Sequence, residues 1–228
     1  MLSGLSIAVL CYNEEATLAR VVYDSVLVGN QLAERCEVII INDCSDDDSF
    51  AIAESLAQQL PEVRVIHHPS NRGFGAAQRS GFQAASLEFV TTVPGDAQFD
   101  VNDLHKLAAA IDDHDIVIGY RVARGDYLYR RVKTRVFWWA LRLFFGIRFR
   151  DINWVKLYRR RALESIDLVS NNIGIETEIV HKAQHRGLRL TEVPVGYLPR
   201  QAGVAQGDRA KNVVHTIGEL IGLRLRRL

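Results

Sequence analysis

Two oxygen-bearing side chains, Asp96 and Gln98, lie one residue apart in a turn that follows a short apolar run. Hard oxygen ligands of this kind bind Mg²⁺ or Mn²⁺, and Mg²⁺ in particular takes few protein ligands beside substrate phosphates. A metal held there would stabilise the charge on a departing nucleotide diphosphate. An Asp in a turn is more often a helix cap or a solvated loop residue, so the metal hypothesis depends on the neighbouring loops.

Polar residues also follow two apolar runs nearer the start of the chain. They are Tyr12 with Glu14 after the first run, and Asn42 with Asp43 after the second. Amide and carboxylate groups at strand ends can hydrogen-bond the base and ribose of a nucleotide. The glycine-containing stretch at 71–75 is either a phosphate-binding loop or an ordinary glycine turn, because it lacks both the GxGxxG and the GKS pattern.

These loops must be positioned by the elements between them. Short apolar runs alternate with helical periodicity over the first 120 residues, which predicts βαβ units and a mainly parallel sheet. The predicted strands are residues 5–10, 38–41, 63–66, 89–93 and 116–118, and the predicted helices contain residues 18–26, 46–60, 75–85 and 104–111. Ligands of such sheets bind beyond the carboxyl ends of the strands, where these polar residues are expected to meet.

After residue 120 the regular alternation stops. A helix over about 129–145 begins basic and ends apolar, with Trp138 and Trp139 among its aromatic residues. The remaining pattern predicts strands at 155–158 and 190–195, a helix at 176–186 and a last amphipathic helix over 214–228.

The composition is that of a globular protein. The chain has 228 residues, 48% hydrophobic and 24% charged, which excludes disordered and fibrous classes and predicts a single domain over 1–228. Its net charge of +1 conceals two unlike halves: residues 1–120 hold 6 Lys and Arg against 18 Asp and Glu, and residues 121–228 hold 22 against 9. The second half is therefore expected to face an anionic partner, unless the two halves merely neutralise each other within the fold.

The cysteines, the start of the chain and its longest apolar run indicate where in the cell the protein is expected. The three cysteines form no CxxC pair, which favours a reduced cytoplasmic environment over zinc or disulfides. The start of the chain lacks the basic region of a signal peptide. The longest apolar run, 136–147, contains Arg142 and would cover about 18 Å as a helix, against a bilayer core of about 30 Å. We therefore expect no membrane-spanning segment there.

Taken in order, the loop motifs resemble family-2 glycosyltransferases of GT-A fold. Within that family the chain looks most like the dolichol-phosphate mannose synthase group, which loads a sugar onto a polyprenyl phosphate. The segments that carry the resemblance are CYNEE at 11–15, INDCSDD at 41–47, NRGFGAAQRSGF at 71–82, PGDAQFD at 94–100, IGYR at 118–121, EVPV at 192–195 and RQAG at 200–203.

The resemblance implies a fold, a cofactor and residue roles. It implies a GT-A, Rossmann-like α/β fold with an acidic nucleotide-sugar-binding half, 1–120, and a basic acceptor- and membrane-facing half, 121–228. The residues placed at the nucleotide are Tyr12, Glu14, Asn42 and Asp43. Those placed at an Mg²⁺ or Mn²⁺ ion and the donor phosphates are Asp96 and Gln98, and those at basic active-site positions are Arg121 and Arg200.

The chain departs from the family pattern in four places. Asn42 replaces the first Asp of an acidic pair, and Pro94 replaces the first Asp of the Asp-x-Asp metal motif. Ala205 stands where the family has a serine, and the segment that begins at Asp151 is one residue short. Fewer carboxylates imply weaker metal binding, and the other changes leave the sugar and the acceptor open.

Three functional hypotheses follow. In the first, a cytoplasmic enzyme peripheral to the inner face of the membrane transfers a sugar, with inversion, from a nucleotide-diphosphate sugar to a polyprenyl phosphate, which is already ionised and needs no general base. In the second, the acceptor is a soluble or glycan hydroxyl, and Asp151 is the candidate base. In the third, the chain is a catalytically silent nucleotide-binding module.

The basic second half is compatible with a lipid surface. The helix over 129–145 either lies in the membrane interface through its aromatic and basic residues or packs on the sheet. Nucleic acid is the weaker interpretation, since no nucleic-acid-binding signature accompanies the charge.

Overall fold

A computed structural model describes residues 1–122 and 142–199 of the chain. Its strands are β1 (Leu5–Cys11), β2 (Cys36–Asn42), β3 (Val63–His67), β4 (Phe89–Pro94), β5 (Ile116–Arg121), β6 (Lys156–Arg159) and β7 (Leu190–Val195). Its helices are α1 (Leu18–Leu32), α2 (Ser49–Gln59), α3 (Phe74–Ala84), α4 (Leu104–Ala109), α5 (Arg160–Glu164) and α6 (Gly174–His185), with a 3₁₀ turn at Val101–Asp103. Residues 142–145 are also helical.

Every strand predicted from the sequence is present. Strand β5 continues to Arg121, three residues beyond its predicted end, so Arg121 belongs to the sheet rather than to a loop. Helix α5 was not predicted, because its five residues are too few to show a period. Most of the helix predicted over 129–145, and all of that predicted over 214–228, lie outside the described residues.

The strands form one sheet in the order β3-β2-β1-β4-β6-β5-β7. Six of the seven point the same way, and β6 alone runs antiparallel to its neighbours β4 and β5. The predicted mainly parallel α/β architecture is therefore confirmed. Because β6 is reversed, the segment that precedes it lies at the same sheet edge as the segments that follow the other strands.

The sheet is covered by a core on each face. Alternate residues of β2 face opposite ways: Val38 and Ile40 join one cluster, Ile39 and Ile41 the other. Helices α1, α2 and α4 pack on the first face, and α3, α5 and α6 on the second. Both faces of the central strands are thus apolar, so their sequences are continuous hydrophobic runs.

Nine large apolar side chains are exposed among residues 1–122 and 142–199. Leu143 and Phe144, at 64% and 56% exposure, are adjacent members of this group. They are flanked by the exposed arginines Arg142 and Arg148. Within residues 1–122 and 142–199, no helix combines the length and apolar character needed to cross a bilayer.

Helix α6 contains a buried carboxylate, Glu178. It accepts hydrogen bonds from the backbone N–H groups of Val169 and Ser170 and from Lys182 Nζ at 2.8 Å. Burial raises the pKa of Glu178, but these donors outweigh it and hold the pKa below the ordinary 4.5. The carboxylate therefore ties the segment before α6 to the helix in its charged form.

We expect Glu178→Gln to lower the free energy of unfolding by about 3 kcal/mol at pH 7, because Lys182 would lose its partner in the interior. Since the folded-state pKa of Glu178 is depressed, its stabilisation is present at neutral pH and is lost as the pH falls through that pKa. The difference in melting temperature between wild type and variant should begin to shrink as the pH falls below the ordinary Glu pKa of 4.5 and should vanish below the depressed folded-state pKa, which circular dichroism can follow.

Glu164→Gln is the matched control, since Glu164 forms an exposed i,i+4 pair with Arg160. Such pairs contribute little, so this variant should change stability by less than about 0.5 kcal/mol. A wild-type advantage over Glu178→Gln that stayed constant down to pH 3 would contradict the assignment.

Candidate active site

Seven segments meet at the carboxyl edge of the parallel strands. Those that follow β1, β2, β3, β4, β5 and β7 emerge there, and so does the segment that leads into the reversed β6. The registers align them: Cys11 pairs with Asn42, Asn42 with His67, and Arg121 with Val195. Loop residues that are as distant in the sequence as Tyr12 and Tyr197 thus lie along one edge of the sheet, where the sequence predicts a ligand site.

The loops after β1 and β2 are joined by backbone-to-side-chain hydrogen bonds. Asn13 N donates to Ser45 Oγ at 3.0 Å, and Asp46 N donates to Asn13 Oδ1 at 2.8 Å. Glu14 N donates to Ser49 Oγ at 3.0 Å. The predicted nucleotide-binding residues Tyr12 and Glu14 are half-buried in this joined pair of loops.

Each of the four loops after β1 to β4 contains a residue with left-handed backbone. These are Asn13 at φ 56°, Cys44 at 62°, Gly73 at 87° and Ala97 at 55°. A non-glycine residue is uncommon in this region, and such strained positions cluster at functional sites. The three non-glycine cases among the described residues all fall at this one edge.

Asn42 is 1% exposed, and both ends of its amide have partners within the protein. Its Oδ1 accepts from the N–H and hydroxyl of Ser45, and its Nδ2 lies 3.0 Å from His67 Nδ1. Because an amide nitrogen only donates, His67 Nδ1 is the acceptor and its Nε2–H donates to Glu54 at 2.8 Å. Asn42 therefore supplies the proton that His67 Nδ1 accepts. An ionised aspartate at this position would have no proton to donate.

Asp43 is also buried and binds three donors. Its Oδ1 accepts from Arg72 N at 2.9 Å and from His68 Nδ1 at 2.6 Å, and its Oδ2 accepts from Gly73 N at 2.8 Å. On its other side, His68 Nε2 lies 2.9 Å from Ser80 Oγ in α3. The predicted contacts of Asn42 and Asp43 with a nucleotide stay predictions.

The loop at 71–75 was open to two interpretations in the sequence, and its geometry disfavours a phosphate cradle. The N–H groups of Arg72 and Gly73, which a phosphate would need, are already bound by the Asp43 carboxylate. Gly73 adopts φ 87° at the N-cap position just before α3, so the turn into this helix requires a glycine. The carboxylate of Asp43 thus occupies the N–H groups that a phosphate would bind.

The turn after β4 presents Asp96 and Gln98. Asp96 Oδ1 accepts from Gln98 N at 3.0 Å, which closes the turn around Ala97. A side chain at Gly95 would approach Leu10 O to 2.9 Å, so only glycine lets this turn lie against β1. Gln98 Nε2 donates to Tyr197 Oη at 2.8 Å.

One carboxylate and one amide fit a hard divalent cation that takes its other ligands from diphosphate oxygens and water. No cluster of three or more His, Cys, Asp or Glu suited to a metal occurs within the described ranges. The donor set at this turn is therefore adequate for a metal shared with a substrate and inadequate for one bound by the protein alone.

Arg121 and Asp151 form a bidentate ion pair. Arg121 Nε and Nη2 lie 2.6 and 3.1 Å from the two oxygens of Asp151, and each side chain is 9% exposed. Asp151 Oδ1 also accepts from Asn153 N. The Arg121 guanidinium lies over Trp154, 4.5 Å from the ring centroid. Two residues that the sequence placed in separate roles are thus partners.

A buried lysine holds the segment that carries Asp151. Lys156, 1% exposed, donates to Ile152 O at 2.5 Å, to Trp154 O at 3.0 Å and to the carboxylate of Glu176. Glu176 in turn accepts from Gln78 of α3 at 3.0 Å. The segment before β6 is therefore fixed to both α3 and α6.

Sequence reasoning missed three side chains of this edge. Trp154 and Tyr197 lie beside Arg121, and His68 lies beside Asp43. None belongs to a spacing pattern, although the position of Tyr197 directly after β7 was a usable signal. The predicted site residue Arg200 lies outside the described residues, as do Trp138 and Trp139.

Comparison with known proteins agrees with this geometry. Residues 6–166 match the model of the family described as glycosyl transferase family 2. An uncharacterised glycosyltransferase of Mycobacterium tuberculosis is 30% identical over 204 residues, which cover 88% of each chain. A polyprenol monophosphomannose synthase of Mycolicibacterium smegmatis is 26% identical, covering 91% of this chain and 83% of the relative.

Among solved structures, the fold is similar to that of glucosyl-3-phosphoglycerate synthase from M. tuberculosis in complex with Mn²⁺, UDP-glucose and phosphoglyceric acid. The TM-score is 0.74 at 20% identity, with 96% of this chain and 80% of that chain covered. At this identity the likeness concerns the fold.

The contact between His68 and Asp43 can be tested with two isosteric variants. In His68→Asn, the amide nitrogen takes the place of Nδ1 and still donates to Asp43. In His68→Gln, the amide nitrogen takes the place of Nε2, so the donor to Asp43 is lost. We expect His68→Gln to cost about 2 kcal/mol of unfolding free energy and to speed amide exchange at Arg72 and Gly73, because a buried charged acceptor loses a donor. His68→Asn should change exchange at those amides much less.

Hydrogen–deuterium exchange with mass spectrometry gives the local readout. Equal protection of residues 71–73 in both variants would mean that His68 does not hold this loop through Asp43.

Proposed function

The chain belongs to glycosyl transferase family 2 and has the GT-A fold, and from this premise we propose that it transfers a sugar from a nucleotide-diphosphate donor to a polyprenyl phosphate at a membrane surface. The observation that carries the proposal is the meeting, at one sheet edge, of the Asp96–Gln98 turn with the Arg121–Asp151 pair. The first suits a donor diphosphate with its metal. In the second, Asp151 binds Nε and Nη2 of Arg121, which leaves the Nη1 group of that guanidinium for an anionic acceptor.

The donor side is supported by the loops after β1 to β4. Their left-handed residues and mutual hydrogen bonds give a rigid edge, and rigidity lowers the entropic cost of binding. A structural neighbour was crystallised with Mn²⁺ and UDP-glucose. In this chain Asp96 and Gln98 would hold the metal, which supplies Lewis-acid stabilisation of the leaving diphosphate.

The acceptor side favours a phosphate over a hydroxyl. A hydroxyl acceptor needs a general base within hydrogen-bond reach of its proton. Asp151, the candidate base, is buried and already accepts from Nε and Nη2 of Arg121 and from Asn153 N, so little of its carboxylate is left for a substrate hydroxyl. A phosphate is ionised at neutral pH and needs no base, so attack requires only positioning and charge stabilisation.

The relatives point to the same acceptor class. The 26% identical relative from M. smegmatis is named for transfer to a polyprenol monophosphate, and an undecaprenyl-phosphate mannosyltransferase of Micrococcus luteus is also 26% identical. Direct attack by a lipid phosphate on the anomeric carbon would invert its configuration. The structural neighbour bound to phosphoglyceric acid makes a small soluble acceptor the alternative to test.

A peripheral membrane contact is supported by the surface near residue 143. Exposed Leu143 and Phe144 adjoin the exposed arginines Arg142 and Arg148. Apolar side chains enter the headgroup boundary, and each basic residue near an anionic leaflet contributes about 1 kcal/mol. The charge of the second half of the chain acts in the same direction.

Asp96→Asn tests the donor site. We expect the variant to lose Mn²⁺-dependent binding of the nucleotide and at least about 100-fold of turnover, since a metal contributes several kcal/mol to the transition state. Calorimetric titration with UDP, GDP and their sugars, with and without Mn²⁺, identifies the donor. Product assays with undecaprenyl phosphate, phosphoglyceric acid and an oligosaccharide then identify the acceptor.

Asp100→Asn is the control for charge. Asp100 lies in the same loop and its Oδ1 caps the 3₁₀ turn through Asn102 N, a role that asparagine also performs. It should bind nucleotide and metal like the wild type. Turnover with phosphoglyceric acid alone would overturn the lipid acceptor, and nucleotide binding that ignores Mn²⁺ would overturn the metal site.

The membrane contact is tested by Leu143→Ser combined with Phe144→Ser. Sedimentation with vesicles containing anionic phospholipid should fall several-fold, because two interfacial apolar side chains are lost. Leu27→Ser, at an exposed position of similar accessibility on α1, should leave sedimentation unchanged. If the double variant sediments like the wild type, this surface is not the membrane contact.

A further inference from the structure

Tyr197 connects the segment after β7 to the turn that carries Gln98. Its hydroxyl oxygen accepts from Gln98 Nε2 at 2.8 Å, and the next residue, Leu198, donates its N–H to Gln98 O at 2.9 Å. The side chain and the backbone of Gln98 are therefore both bound by the same segment. In this arrangement the amide nitrogen of Gln98 faces the hydroxyl of Tyr197.

A glutamine amide has a donor end and an acceptor end, and the two are exchanged by a half-turn about its last bond. Only the oxygen can bind a cation, since the –NH₂ end carries positive partial charge. Because Nε2 is committed to Tyr197, Oε1 faces the opposite way. Within the described part of the chain, no hydrogen bond involves Gln98 Oε1.

The Tyr197 ring is itself held in place. The centroid of the Tyr197 ring lies 5.6 Å from that of Trp154 in an edge-to-face contact. The guanidinium carbon of Arg121 lies 5.8 Å from the Tyr197 centroid. Trp154 also stacks with Arg121, whose other partner is Asp151. A hydroxyl on a ring packed in this way has a fixed position. A phenol both donates and accepts, so without a cation it could bind either end of the amide; once Oε1 binds a cation, only Nε2 is left to face the hydroxyl, which then acts as its acceptor.

We propose that Tyr197 is a positioning residue that holds the Gln98 amide with its oxygen available to the divalent cation. This inference rests on the metal site of the proposed function. Groups that orient a metal ligand without touching the metal change its affinity by about 10- to 100-fold when they are removed. Tyr197 would also link the metal turn to Arg121 and Asp151 on the acceptor side.

The test is a double-mutant cycle between Tyr197→Phe and Gln98→Glu. A carboxylate has an oxygen at each end, so its orientation no longer matters to a cation. We expect Tyr197→Phe to weaken Mn²⁺ binding about tenfold in the wild-type background and less than twofold in the Gln98→Glu background. Electron paramagnetic resonance of free Mn²⁺ measures this affinity in the presence of UDP, and again with GDP.

Tyr120→Phe is the matched control. It also removes a phenol oxygen at this edge, one that accepts from Arg150 at 2.9 Å, and it should leave Mn²⁺ affinity unchanged. Melting temperatures of all variants show whether the ring packing survives.

The outcomes separate the two proposals. An equal loss of Mn²⁺ affinity in both backgrounds would mean that Tyr197 acts through general packing, and would overturn the inference. Unchanged affinity in Tyr197→Phe would overturn it while the metal-dependent transferase stands. Failure of the wild type to bind Mn²⁺ with either nucleotide would overturn both the inference and the metal site on which it rests.

Discussion

The buried ion pair between Lys156 and Glu176 holds the segment that carries Asp151 against the carboxyl edge of the sheet. Lys156 lies at the start of β6, the one strand that runs against its neighbours, so the chain before this strand reaches the site. The ammonium group also binds two backbone carbonyls of that segment. Because either charge alone would be costly in the interior, the pair forms as a unit. The approach of Asp151 to Arg121 depends on it.

Several carboxylates of the first half of the chain bind backbone N–H groups of its own loops. Asp43 binds the N–H groups of the loop after β3, Asp47 binds those of Glu15 and Ser49, and Glu15 binds that of Asp48. Burial raises the pKa of Asp47, but hydrogen bonds from Ser49 and the backbone lower it overall. Carboxylates thus replace the backbone partners that irregular loops lack, and they stabilise the left-handed residues beside them.

The proposed donor and acceptor sides of the site are joined by a continuous set of contacts. Gln98 binds Tyr197, Tyr197 packs on Trp154, and Trp154 stacks with Arg121, which pairs with Asp151. Under the proposed function this chain of contacts would run from the metal turn toward the acceptor. Its members come from four segments that are distant in sequence, so the site is a property of the sheet edge and not of any one motif.

The sequence by itself determined the alternation of strands and helices, the mainly parallel sheet and the loops that form its ligand edge, because periodicity and strand-end polarity are local properties. It also singled out Asp96, Gln98, Arg121 and Asp151 as candidate site residues, since their motifs are contiguous, and their roles stay predictions. Only the tertiary structure decided their partners. The reversal of β6 paired Arg121 with Asp151, and strand register placed His67 beside Asn42 and the loop at 71–73 against Asp43. Hydrogen-bond partners far apart in sequence depend on register and strand direction, which no local pattern records.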